Sequence, residues 1–578
     1  MKNQCNNNNN NNEIFLMLMI CSILFATIIS TTYATQQQGQ KFTEIIPTTI
    51  GPIRGLKYEN KNVFLGIPFG ESTAGENRWK NPIPKTKSNV IFNATKLGNP
   101  CPGYNSGNQK WVEFLNLTES EDCLNLNVWT PSSSRKDSNN NNNQKLLPVL
   151  VWIYGGGFLS GTNADPVYNG QVFVENFPVI VVNMNYRLGS FGFMASTNGG
   201  SNFGLRDQNL ALQWVKANIK QFGGDPNQVS IFGQSAGANS VLAQVASPLS
   251  INLFQRALSF SPVALSCRTL SNYDTHTNLL FKAFKCQEND YTCMRKISYQ
   301  DILKKQISEE YIHELKDGKK TNFLEWEPAC DNDFLPTDPT TFLVNNYSDY
   351  SKYLDAIVIG NVKDEMAAFV PTILNSTIAT DIIFDLFWGS SKHFKEISEL
   401  YENDPITKKK YNGYEKVMIS LSDYLVACYT RHLARSITTA SSAAKKKVNM
   451  YLYEFHHTPS PGADIVFGNM KECGVYPCHA SDNIFNFDSV NLIEGLPFKP
   501  NFTAFEQQLS STMMTTVVDF ASGGSGLYLP YNISLDERLQ WGGIDPNNGE
   551  KVIHTTNKGY RLEYCEFWEN KIKYGVYS

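Results

Sequence analysis

Hydrophobic positions in this chain fall in short, nearly continuous runs separated by stretches with helical spacing. The clearest runs are Pro148–Tyr154, Pro178–Met184, Val229–Phe232, Asp355–Gly360 and Met450–Phe455. A strand with one wet face alternates apolar and polar residues, whereas a strand covered on both faces need not. These runs therefore predict parallel strands lying between layers of helix. Between the second and third runs, Asn209–Phe222 carries helical periodicity and is stopped by Gly223-Gly224-Asp225-Pro226. The alternation predicts an α/β chain with a mostly parallel central sheet flanked by helices.

The run ending at Phe232 passes directly into Gly233-Gln234-Ser235-Ala236-Gly237, and helical spacing resumes at Asn239–Val245. A serine on a sharp strand-to-helix turn is the Gly-x-Ser-x-Gly nucleophile elbow, and a turn that tight needs small residues at Gly233 and Gly237. The following helix points its N-terminus at the serine, where its dipole favours developing negative charge. Ala236 offers its backbone N–H to an oxyanion at the same place. A second donor set follows the strand at 148–154. In Tyr154-Gly155-Gly156-Gly157-Phe158, three successive glycines let the backbone approach a ligand closely. Gly156, Gly157 and Ala236 are the expected oxyanion donors. A serine hydroxyl also needs a base and an acid that orients it. The eight histidines and many acids are not separable residue by residue, and the pattern leaves both roles open.

The start of the chain changes the expected compartment. An Asn-rich, Lys2-bearing segment precedes the apolar run Ile14–Ile29 and the small-residue ending Thr32-Tyr33-Ala34. This fits a secretory signal peptide over residues 1–34. The run is short for a membrane span and no second one follows, so no stable span is expected after cleavage. Of twelve cysteines, Cys5 and Cys21 fall in that segment, leaving an even ten for disulfides. Sequons at Asn93, Asn116, Asn346, Asn375, Asn501 and Asn532 agree with passage through the secretory route. The expected location is outside the cell or in the lumen of a secretory-pathway vesicle. Residues 35–578 read as one domain, with Ser138–Gln144 as an Asn-rich loop insertion. Net charge is −4 with both signs interspersed, which gives no footprint for nucleic acid.

Several longer motifs occur in one unbroken order. They are Glu121-Asp122-Cys123-Leu124-Asn125-Leu126-Asn127-Val128-Trp129, Trp152–Phe158, Asn185-Tyr186-Arg187, Gly204-Leu205-Arg206-Asp207-Gln208, Leu212–Val215, Phe222–Pro226 and Phe232–Gly237. Together they closely resemble the type-B carboxylesterase and cholinesterase family, from about Gly51 to Trp568. The resemblance implies an α/β-hydrolase fold and a serine carboxylic-ester hydrolase working through an acyl-enzyme. The substrate would be a small-molecule ester, with no metal and no organic cofactor.

The resemblance also supplies the missing roles. The family's acid closes a Lys-Asp-Glu segment after a strand, which here is Lys363-Asp364-Glu365, so Glu365 is the implied acid and Asp364 the runner-up. The family's histidine follows a Gly-Val turn. Gly474-Val475-Tyr476-Pro477-Cys478-His479 supplies His479, with His456 and His457 as competing candidates at a strand end. With Ser235 these complete an implied Ser-His-Glu triad. The implied disulfides are Cys101–Cys123, Cys286–Cys293 and Cys428–Cys565. Cys473 and Cys478 stand close enough to pair locally, while Cys267 and Cys330 either pair or stay free. The sequence departs from the choline-selective members. Ala367 and Ala368 stand where those have an aromatic pair, with Phe369 next, Leu159 follows Phe158 in place of tyrosine, and Gln234 replaces a glutamate before the nucleophile. Trp111 is open between a choline-binding and a packing role. An esterase of unspecified substrate is therefore expected, the alternative being an adhesion or storage protein in which catalysis is dispensable.

Overall fold

The apolar runs lie in one sheet, of eleven strands among the described residues, with the strand at Arg256–Phe260 between the third run and the fourth. In this computed structural model, the described residues are 41–104, 109–132, 145–264, 267–306, 326–370, 393–403, 410–460, 471–492, 501–544, 550–559 and 561–571. The signal-peptide reading of residues 1–34, the Asn-rich insertion at 138–144 and the sequon at Asn375 lie outside them.

The strands are β1 (Leu56–Lys57), β2 (Lys61–Pro68), β3 (Asn125–Pro131), β4 (Leu147–Ile153), β5 (Ile180–Met184), β6 (Gly224–Gln234), β7 (Arg256–Phe260), β8 (Ala356–Val362), β9 (Asn449–Phe455), β10 (Glu537–Trp541) and β11 (His554–Lys558). Their spatial order is β11-β10-β9-β8-β7-β6-β4-β5-β3-β2-β1. From β5 through β10 every neighbouring pair is parallel, and β1, β2, β3 and β11 add antiparallel edges. This is the α/β-hydrolase arrangement, a mostly parallel sheet with helices on both faces.

The five predicted strands are present as β4, β5, β6, β8 and β9, and their burial explains why they read as continuous. Val149–Ile153, Ile180–Met184 and Ala356–Val362 are buried at every position. Such residues take their stability from burial on both faces, roughly 1.5–3 kcal/mol for each large apolar side chain. The predicted helix at 209–222 starts earlier, at Phe203. It forms α1 (Phe203–Asn218) and tightens into a 3₁₀ turn over Ile219–Phe222. Gly223, at φ 89°, ends it by giving its N–H to the Ile219 and Lys220 carbonyls. β6 then begins at once, at Gly224.

The family-like motifs are held together by buried ion pairs. Arg187, after β5, meets Asp207 of α1 through two side-chain bonds of 2.8 and 2.7 Å. Arg78 meets Glu121 the same way at 2.6 and 2.5 Å. Removing one partner of such a pair would strand a buried charge. Five disulfides join Cys101 to Cys123, Cys267 to Cys330, Cys286 to Cys293, Cys428 to Cys565, and Cys473 to Cys478. Among the described residues no helix is long and apolar enough to cross a membrane.

Candidate active site

The chemistry-bearing residues gather where the central parallel strands end. Open α/β sheets bind ligands at these carboxyl ends, because the loops there converge on the crevice between helices. β4 runs out into Tyr154–Phe158, β6 into Ser235, and β8 into Asp364 and Glu365.

Ser235 sits between β6 and helix α2 (Ala236–Ala246) with φ 59° and ψ −126°. A non-glycine residue in that region carries strain of order 1–3 kcal/mol. It is held there by two backbone bonds. Ser235 N donates to the Phe260 carbonyl on β7 at 3.0 Å, and Asn239 N donates to the Ser235 carbonyl at 2.9 Å. The flanking glycines are required by contact. A Cβ on Gly237 would lie 2.1 Å from the Ile153 carbonyl oxygen, and one on Gly233 would lie 2.5 Å from the Gly237 carbonyl oxygen. Ser235 is half-buried.

Gly156 and Gly157 take φ of 111° and 62°, which turns the backbone after β4 away from the strand direction. Among the described residues neither gives its N–H to an acceptor. Gly156 is exposed and Gly157 half-buried. Ala236 is the first residue of α2, and a first-turn N–H has no acceptor within its own helix. The glycine loop is braced from behind by Tyr186, whose hydroxyl donates to the Tyr154 carbonyl at 2.8 Å while the two rings stack at 4.5 Å.

Glu365 follows β8 and is fully buried. Its Oε1 accepts from Val362 N at 2.7 Å, which aims Oε2 at His479 Nδ1, 2.5 Å away. The two loops are also joined through the backbone. His479 N donates to the Glu365 carbonyl at 3.2 Å, and Asp364 N donates to the Pro477 carbonyl at 3.1 Å. The Cys473–Cys478 disulfide closes the turn just before His479. Asp364 points elsewhere, with its carboxylate 3.6 Å from the Arg561 guanidinium. His456 pairs with Glu454 at 2.7 Å, and His457 with Glu506 at 3.0 Å. Of the three histidines weighed from the sequence, His479 is the one beside Glu365.

Two features of the histidine's surroundings were not anticipated. The side-chain amide of Gln234 lies 3.1 Å from His479 Nε2. Asp482, three residues after His479, is buried and takes a 2.8 Å bond from the Tyr453 hydroxyl. Burial pushes its carboxyl up to about 6, the Tyr453 bond opposing the shift. Its position in the sequence, in a polar stretch after the histidine, was the available signal. Phe369 stands edge-on to the His479 ring at 5.6 Å and is 49% exposed. Trp111 is buried, with its ring edge-on to Phe114 at 6.1 Å.

A strained serine on an elbow, a histidine clamped by a buried carboxylate and a pair of free glycine N–H groups are the parts that acyl transfer uses. The model of the carboxylesterase family matches residues 43–568. The chain belongs to the carboxylesterase family. A mouse protein described as a cholinesterase is 32% identical, the alignment covering 92% of this chain and 87% of that one. The cAMP-regulated D2 protein of Dictyostelium discoideum is 29% identical, covering 92% of this chain and 94% of the relative. A solved PNB esterase superposes with a TM-score of 0.72 at 25% identity, over 90% of this chain and 98% of that one. As a carboxylesterase family member the chain carries the family's α/β-hydrolase fold.

Proposed function

We propose that this chain is a serine carboxylic-ester hydrolase in which Ser235 is the nucleophile, His479 the base and Glu365 the orienting acid. The observation that carries the reading is the 2.5 Å contact of His479 Nδ1 with Glu365 Oε2, at the carboxyl end of the strands that also end in Ser235 and the glycine loop. His479 takes the hydroxyl proton on Nε2 while Ser235 Oγ bonds to the ester carbonyl carbon. The carbonyl pair moves onto oxygen, where Gly156, Gly157 and Ala236 donate N–H groups. His479 then protonates the leaving alcohol, and water repeats the sequence on the acyl-enzyme. Every step is carried by side chains and backbone of this chain acting on a small-molecule ester.

The chain acts outside the cell or in a secretory vesicle lumen, after removal of residues 1–34. Five disulfides support an oxidising compartment. Asn93, Asn116, Asn501 and Asn532 are exposed, and Asn346 is half-buried, which suits them as glycan acceptors.

Replacing Ser235 by alanine is the direct test. Turnover of an aryl ester should fall by on the order of 10⁴ or more, with unfolding unchanged and organophosphate labelling lost. Labelling at a different serine in the unmodified protein would refute the assignment.

A further inference from the structure

We propose that Gln234 is a positioning residue for His479: its side-chain amide holds the imidazole neutral with Nε2 unprotonated, and competes with the Ser235 hydroxyl for that lone pair. The proposal rests on the Ser235–His479–Glu365 reading above.

The two contacts of the ring determine where its proton sits. Nδ1 faces Glu365 Oε2 at 2.5 Å. A carboxylate only accepts, so the neutral ring carries its proton on Nδ1 and leaves Nε2 as an acceptor. The NH₂ group of Gln234, 3.1 Å away, is then the donor in the second contact. An imidazolium would set an Nε2–H against that NH₂, donor to donor, so the contact favours the neutral ring. The amide is confined. Gln234 is only 3% exposed, and its Oε1 lies so close to Gly155 that a Cβ there would come within 3.2 Å of it.

The same lone pair must receive the Ser235 proton during attack. Among the described residues no hydrogen bond joins the Ser235 hydroxyl to His479, and the amide of Gln234 holds that position. Acylation therefore begins with an exchange of donors at Nε2, the amide leaving and Oγ–H arriving. The charged and titratable groups around the ring are Glu365 from the loop after β8, and Asp482 from the histidine's own segment. Tyr453 on β9 donates to Asp482.

The test is the pH dependence of kcat/KM for a neutral aryl ester in Gln234→Glu and Gln234→Met. Glutamate replaces a donor with an anionic acceptor that favours the imidazolium. The apparent pKa of the acid limb should rise by about one unit or more. Methionine keeps the length without the donor and leaves Nε2 to Ser235. Organophosphate labelling of Ser235 at about pH 8 should become several-fold faster, and the acid limb should move less than in the glutamate variant. Acid limbs unmoved in both variants, with only KM altered, would overturn the proposal. So would labelling that methionine leaves unchanged or slows. Loss of folding in both variants would make Gln234 a packing residue and overturn it as well. Ser235→Ala separates the two levels. If Ser235→Ala still hydrolyses ester, the site reading itself is defeated, whereas an inactive Ser235→Ala together with unmoved acid limbs in the two Gln234 variants defeats only the role of Gln234.

Discussion

His479 and Glu365 meet twice: the backbone N–H of His479 donates to the Glu365 carbonyl at 3.2 Å, and its Nδ1 faces the Glu365 carboxylate at 2.5 Å. The main-chain bond sets the distance between the loops, and the side-chain bond sets the ring's tautomer and orientation. Glu365→Gln preserves shape and removes the charge that stabilises the imidazolium. It should lower kcat steeply, by on the order of 10³–10⁴. Asp364→Asn should leave kcat within several-fold, because that carboxylate faces Arg561 at 3.6 Å and not the histidine. Steady-state rates of the two variants decide this, and a reversed order would mean that Asp364 is the acid.

The elbow depends on contacts that leave no room for a methyl group. A Cβ at Gly237 would sit 2.1 Å from the Ile153 carbonyl oxygen and 2.8 Å from that of Tyr154, both of them backbone atoms at the end of β4. Neither atom can swing aside as a side chain would. Gly237→Ala should therefore destabilise the protein by roughly 1–3 kcal/mol or more. It should also cut kcat, since the same shift moves α2 and the Ala236 N–H. Denaturant unfolding with rates on the folded fraction checks both parts.

The parts of this molecule that are local in sequence were the legible ones. β6, the turn at Ser235 and α2 are contiguous, so periodicity and two glycines reveal the elbow without any tertiary information. The glycine loop after β4 was readable for the same reason. The proposed acid and base were not: Glu365 and His479 come together only when β8 and β9 pair and the Cys473–Cys478 turn folds back, and periodicity says nothing about that. Their assignment came from resemblance to a family, as did that of the disulfides. On one edge β1 has only two residues, and β2 and β3 interrupt their apolar positions with Lys61, Asn62, Asn125, Asn127 and Thr130; the polar strand β11 on the other edge likewise lacks the long apolar run that betrays a buried strand. The contact between Gln234 and His479 had no sequence signal beyond the glutamine's place before the serine.

Glu506 gives a pH dependence that is separate from catalysis. It lies in the first turn of α3 (Ala504–Ala521) and completes a capping box with Thr503. Burial alone would push its carboxyl up. Bonds from His457 at 3.0 Å, Thr503 N at 2.9 Å and the Ser460 hydroxyl at 2.8 Å outweigh burial and bring it from 4.5 down to about 2. A depressed acid contributes stability that is fully present above its unfolded value, near 4.5, and is lost as pH falls toward about 2. Glu506→Gln should therefore cost on the order of 2 kcal/mol at about pH 7, and progressively less below about pH 4.5. Unfolding midpoints of the two proteins should converge as the pH is lowered. A gap that stays constant would show that the charge contributes nothing.

The residues near His479 bear on the proposed preference among esters. A choline ester presents a quaternary ammonium, which binds through aromatic faces and nearby negative charge. Here Ala367 is buried and Ala368 half-buried, leaving Phe369 as the aromatic ring beside His479 at 5.6 Å. The residue before Ser235 is the neutral Gln234, with its amide turned to His479. Trp111 is 8% exposed and packs edge-on against Phe114. Each missing cation–π face costs roughly 0.5–2 kcal/mol, and 1.4 kcal/mol is about tenfold in affinity. A neutral ester of matched size should then be hydrolysed at least as well as its choline counterpart, judged by kcat/KM. Trp111→Ala should reduce stability by roughly 3–5 kcal/mol, as loss of a buried aromatic does, and leave the ratio of the two substrates unchanged. A strong choline preference that Trp111→Ala abolishes would place Trp111 in the binding crevice and overturn this account of the pocket.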